Sequence, residues 1–157
     1  MMRLGALLIW FVICAEQDAR RKEISNGLTI GGIAVAAGYL SATGTTWLGA
    51  PAIEAGLALL VALALTLPGY FIGRLGAGDV KLMTALALAS DSTYLLGTFI
   101  GAGVALLSWR LIGRRAWPLI QQRLTQRYAC MNPEASDKYP FSPFLLIGLL
   151  LTAWALH

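Results

Sequence analysis

"LGAGDVKLMT", residues 75–84, sets Asp79 and Lys81 directly after Gly76 and Gly78, between apolar runs near residues 53–73 and 80–90. Whether this polar break is a surface turn or a boundary between two buried helices depends on the rest of the chain. Hydrophobic residues make up 57% of it and charged residues 13%, far from the mixture of a soluble domain. The balance is that of an integral membrane protein. Its 157 residues, at roughly 20 per span, hold one bundle with little left over, so the expected architecture is all-α, a single polytopic membrane domain over 1–157.

Outward from the break, apolar runs lie near 2–17, 27–43, 53–73, 80–90, 93–113 and 141–156. They predict about six transmembrane helices in one bundle. The fourth run is short for a hydrocarbon layer of about 30 Å, and it would join the fifth as one long helix if Asp91 and Ser92 were helical. Charge decides between the two, because Lys and Arg collect in cytoplasmic loops. With six spans, Arg20, Arg21, Lys22, Arg74, Lys81, Arg110, Arg114, Arg115, Arg123, Arg127 and Lys138 all face the cytoplasm and only Arg3 lies outside. Merging the two runs would send the basic 114–138 segment to the opposite face. The reading is therefore six helices with both termini extracytoplasmic.

The connection at about 114–140 is the one sizeable cytoplasmic loop. Trp117, Ile120, Leu124 and Tyr128 recur there at helical spacing, which fits an interfacial helix or a solvated linker. "MNPEASDKYP", residues 131–140, has the composition of an irregular loop. The basic cluster follows the first apolar run instead of preceding it, so that run reads as a retained span and not a cleaved signal peptide.

Several function classes drop out. The net charge of +4 comes from short loops between apolar runs, which speaks for topology and against nucleic acid. Cys14 and Cys130 have no Cys or His at metal-ligand spacing and read as two unpaired thiols. His157, the sole histidine, sits at the expected extracytoplasmic end, which argues against Ser-His and Cys-His hydrolases. Glu54 suits the start of the third helix, Asp91 the turn between the fourth and fifth, and Pro68 a kink in a span. Among the cytoplasmic acids, Glu16, Glu23, Glu134 and Asp137 are outnumbered by basic residues, so anionic lipid is the expected partner of that face.

Asp79 taken alone suits an N-cap at a positive helix end. Asp18 alone is an ordinary solvated acid among Glu16, Arg20, Arg21, Lys22 and Glu23. Together they carry more, because two spans separate them and two crossings return the chain to the same face. Ionisable groups at bundle depth are costly and face an interior or a wet cavity. Two carboxylates at one level suit aspartyl proteolysis: like charges held close share a proton, the ionised partner takes a proton from water, and the other polarises the scissile carbonyl. That chemistry requires no metal and no cofactor. Gly76 and Gly78 then leave room for an extended substrate backbone beside Asp79, which could pair with it as an added strand. Lys81 has two readings, lowering a carboxylate pKa or anchoring the loop at the headgroups. Asn26 also has two, donating a hydrogen bond near Asp18 or capping the second helix.

"GAGDVKLM" at 76–83 and "DARRKEISNGLT" at 18–29 resemble the type IV prepilin peptidases, membrane aspartyl proteases of the Gly-x-Gly-Asp kind. The first stretch is similar to the family's Gly-x-Gly-Asp-Val-Lys-Leu motif around the second catalytic aspartate, here Asp79. The second is similar to its Asp, five residues, Ile-Pro-Asn pattern, which puts the first catalytic aspartate at Asp18, with Ile24 and Asn26 in place and Ser25 where Pro is common. That departure touches local turn rigidity, since Pro would fix φ and remove a donor. "YPFSPF" at 139–144 is similar to the start of the family's last helix.

The resemblance implies a bacterial inner-membrane endopeptidase acting near the cytoplasmic face, whose substrate is a prepilin with a short basic leader, cut typically after Gly. Many larger relatives also methylate the new N-terminus and carry an N-terminal cytoplasmic segment with paired cysteines. The chain looks like the short, peptidase-only branch serving Flp or tight-adherence pili, so methyltransferase activity is not expected. Two rivals share parts of the pattern: intramembrane proteases of the presenilin or signal-peptide-peptidase type, and a non-enzymatic transporter or secretion-assembly subunit in which Asp18 and Asp79 relay protons.

Overall fold

The computed structural model describes residues 2–116, 118, 122–128, 131 and 140–156. Among them the chain is helical, with α1 Met2–Arg21, α2 Asn26–Thr43, α3 Ala52–Phe71, α4 Ala77–Ala89, α5 Ser92–Ala116, α6 Gln122–Arg127 and α7 Ser142–Leu156. Its only extended pairing among those residues is an isolated bridge between Thr45 and Pro51. Trp117, Ile120, Cys130, Glu134, Asp137, Lys138, most of "MNPEASDKYP" and His157 lie outside the described residues.

Helix α1 runs past its apolar stretch to Arg20 and Arg21, whose charges suit the negative helix end. Lys22 then takes a left-handed backbone, φ 54°, and the chain turns back. Ser25 caps α2, its Oγ accepting from the Leu28 N–H at 3.3 Å. Its φ of −59° is close to what proline would impose, yet its N–H donates to Gln17 Oε1 at 3.1 Å. Serine thus keeps the bend and adds a bond that proline lacks.

Helices α4 and α5 are separate, as the charge partition required. Ser90 leaves helical geometry, and Asp91 Oδ1 accepts from the Tyr94 N–H at 2.8 Å, starting α5 afresh. Glu54 lies in the first turn of α3 and also accepts from Ser92 Oγ at 3.1 Å. Pro68 lies within the last turn of α3.

Helices α2 and α3 pack against α4, while α1 and α5 pack against α7. Phe11, Leu82, Met83, Leu86, Leu95, Leu145 and Leu149 are fully buried between them. The tightest contact is α5 on α7. A Cβ on Gly101 would fall 2.7 Å from the Gly148 Cα, and one on Gly148 would run into the Thr98 carbonyl oxygen and the Ala102 N. Small residues let these backbones touch, a device suited to surroundings where apolar burial alone does not drive helices together.

Helix α3 and the Ser92–Gly113 part of α5 are each long and apolar enough to cross a membrane, and α7 is a shorter apolar helix. At the end of the bundle holding the start of α1 and the end of α4, Trp47 Nε1 donates to the Arg3 carbonyl at 2.8 Å and the Leu48 N–H to the Ala89 carbonyl at 2.9 Å. The opposite end is closed by α6: Tyr128 Oη donates to Glu16 Oε2 at 2.8 Å and Arg127 to Glu16 Oε1 at 3.2 Å. Part of the expected loop helix is therefore present, and Glu16 is already engaged within the chain.

Candidate active site

Asp18 stands on the last turn of α1, Asp79 on the first turn of α4 and Ser142 at the first position of α7. The three meet at one end of the bundle. The Ser142 N–H donates to Asp18 Oδ2 at 2.9 Å, and Ser142 Oγ donates to Asp79 Oδ1 at 2.9 Å. Asp79 Oδ2 accepts from the Gly76 N–H at 3.1 Å. Asp18 is 5% exposed, Asp79 7% and Ser142 0%, so these bonds are made away from bulk water, where they matter most.

The start of α4 corrects the expectation for Asp79. Gly76 is the N-cap and the helix begins at Ala77, so Asp79 is the third helical residue and its carboxylate folds back onto the Gly76 N–H. A Cβ on Gly76 would sit 3.3 Å from Asp79 Oδ2, which is why glycine suits that place. The helix starts earlier than the apolar run because Gly76, Gly78 and Asp79 read as a break although they form its first turn.

Both carboxyl groups lie just beyond the apolar runs, and burial pushes both above the usual carboxylate range. The negative charge of Asp18 adds to the rise at Asp79. The donors from Ser142, and from Gly76 at Asp79, oppose it by favouring the charged form. With both carboxyls buried and the charge of one felt at the other, ionising both together is costly.

They open onto a cavity of about 420 Å³, lined by Asp18, Lys22, Glu23, Ile24, Asn26, Gly76, Ala77, Gly78, Asp79 and Lys81. Every residue expected at the site borders this space. Asn26 performs neither expected role: Ser25 caps α2, and Asn26 Oδ1 accepts from Lys81 Nζ at 2.8 Å. That bond ties the start of α2 to α4 and places the ammonium on the cavity wall. A Cβ on Gly78 would meet Ile24 at 3.5 Å, an ordinary contact. Among the described residues no group of three or more His, Cys, Asp or Glu gathers as a metal cage.

Ser142 is absent from the residues expected at the site. The available signal was Ser142-Pro143 opening an apolar run, a helix-start pattern, but nothing in that pattern says which side chain the hydroxyl meets. As a chemical unit, the arrangement offers two carboxyls on a shared donor beside a polar space, fit for one to act as acid while the other acts as base.

The model of a family described as the type IV leader peptidase family matches residues 5–111, a stretch that holds Asp18 and Asp79 and ends before Ser142. Comparison with curated proteins and with solved structures gives no match.

Proposed function

Because the chain belongs to the type IV leader peptidase family, we propose that it is a membrane aspartyl endopeptidase that removes the short basic leader of an Flp-like type IV prepilin at the cytoplasmic face of the bacterial inner membrane. The activity is cleavage alone, without methylation of the new N-terminus. Asp18 and Asp79 are the catalytic residues. The observation that carries this reading is the burial of both carboxyls against the same Ser142.

The pair works as a unit with one shared proton. Substrate enters the cavity extended, its backbone passing the side of Gly78, and its scissile carbonyl accepts a hydrogen bond from the protonated carboxyl. The ionised carboxylate takes a proton from a water, which adds to the carbonyl carbon and gives a tetrahedral intermediate. Transfer of a proton to the leaving amine then breaks the C–N bond and returns the pair to its starting state. Glu23 at the rim meets the basic leader, and Lys81, fixed on Asn26, shapes the cavity wall, while the helix that follows the leader remains in lipid.

The proposal includes six spans with both termini extracytoplasmic, in one domain. It is supported by the apolar lengths of α3 and α5, by the partition of Lys and Arg, eleven against Arg3, and by large apolar side chains turned outward, such as Ile9, Val35, Leu60, Ile100 and Leu111. Such a surface suits lipid.

The test is co-expression with candidate prepilins in a host lacking other such enzymes. The wild-type chain should shift a prepilin to its mature length on a gel, and Asp79→Asn should leave it unprocessed. Equal processing by both chains would defeat the proposal.

A further inference from the structure

Ser142 makes bonds that an ordinary helix start does not need. The first turn of α7 is closed by the Phe141 carbonyl, which accepts from the Phe144 N–H at 3.0 Å and the Leu145 N–H at 3.1 Å. The Ser142 hydroxyl therefore has no capping task, and it is turned to Asp79 Oδ1 instead. Its own N–H meets Asp18 Oδ2. One fully buried residue thus donates to a carboxylate on α1 and to another on α4, helices far apart in sequence. The helix that carries it is held by backbone contact between Gly148 and α5, so the two donors are presented from a rigid support.

We infer that Ser142 is the positioning residue of the aspartate pair, setting the relative placement of Asp18 and Asp79 before substrate arrives. The inference rests on the proposed proteolytic reading and deepens it. A donor aimed at the charged form of Asp79 also sets where the pair loses its shared proton, and with it the alkaline limit of activity. Among the described residues, the charged groups lining the cavity beside the pair are Lys22 and Glu23 in the α1–α2 turn and Lys81 on α4, the last bonded to Asn26, and the buried Cys14 thiol on α1 lies within electrostatic reach of Asp18. The first turn of α7 brings no charge of its own.

The experiment measures prepilin cleavage by the purified full chain across pH for wild type, Ser142→Ala, Ser142→Thr and Ser142→Cys. Ser142→Ala keeps the backbone donor to Asp18 and deletes the hydroxyl. Its kcat should fall roughly 10-fold to 100-fold with KM little changed, since the reacting geometry and not substrate binding is lost. Its alkaline limb should move up by roughly one pH unit, because the charged form of Asp79 has lost a donor. Ser142→Thr keeps a hydroxyl and should restore the limb. If Ser142→Ala does not accumulate, Ser142→Cys, with its weak thiol donor, should show an upward shift of the same sign. An alkaline limb unmoved in Ser142→Ala, or in Ser142→Cys where that is the variant measured, overturns the inference, even if kcat drops, since a packing role lowers activity without moving the limb. Cleavage surviving in Asp79→Asn would instead sink the proteolytic reading itself, so the two failures are told apart.

Discussion

Where α5 crosses α7, glycines remove the side chains between two backbones until they touch, whereas at the Asp18–Asp79 cavity Gly78 faces no such overlap. At the crossing, Gly97, Gly101 and Gly148 each face atoms that a Cβ would overlap. Beside the cavity, a Cβ on Gly78 would reach only ordinary contact with Ile24 at 3.5 Å. The same residue type therefore lets two backbones touch in one region and borders a polar cavity in the other, where the proposed substrate backbone would pass. The regions are linked, because the α5–α7 contact holds the helix whose first residue donates to both carboxyls.

A single change, glycine to alanine, separates the two uses. Gly148→Ala should have the largest effect on folding, since its methyl would meet the Thr98 carbonyl and the Ala102 N, backbone atoms that cannot rotate away. Overpacking of that kind costs about 1–3 kcal/mol, and thermal unfolding in detergent should show a lowered midpoint with cleavage lost alongside. Gly97→Ala comes next. Its methyl would meet both Thr152 Oγ1 at 2.6 Å and Cγ2 at 2.7 Å, so no rotamer of Thr152 clears it, but a side chain gives more readily than backbone and a loss of about 1 kcal/mol, the low end of overpacking, is expected. Gly78→Ala should leave stability unchanged or raise it by up to about 1 kcal/mol, while slowing cleavage roughly 10-fold or more if substrate backbone passes there. A Gly78→Ala protein that melts early, or a Gly148→Ala protein as stable as wild type, would break the contrast.

That the described chain is helical could be read from it because apolar runs are local, additive signals, and each of the six runs overlaps one helix, α1 to α5 and α7. Asp18 and Asp79 could be paired because two long apolar runs separate them, which as a helical hairpin return the chain to the end it left. What escaped was set by contacts between distant positions. Helix α1 extends to Arg21 because a polar last turn is as helical as an apolar one, which counting hydrophobic residues does not register. Asn26 reads from the sequence as a donor to Asp18 or a cap of α2, yet it accepts from Lys81, 55 positions away. Ser142 lies 124 positions from Asp18 and 63 from Asp79, and only the packing of α7 against α1 and α5 brings it between them.

The central claim is that Asp18 and Asp79 act as one catalytic unit, and a double-mutant comparison tests it most directly. Prepilin cleavage is measured in membranes holding equal amounts of wild type, Asp18→Asn, Asp79→Asn and the double variant. Asn keeps size and most hydrogen bonding, including acceptance from the Gly76 N–H by residue 79, but cannot cycle a proton. Each single change should lower cleavage by about a thousandfold or more, and the double variant should be little worse than either, since residues acting together lose their contribution together. Were Asp79 only a support for the start of α4, Asn would serve about as well; substantial cleavage by either single variant, or losses that multiply in the double, would contradict the account.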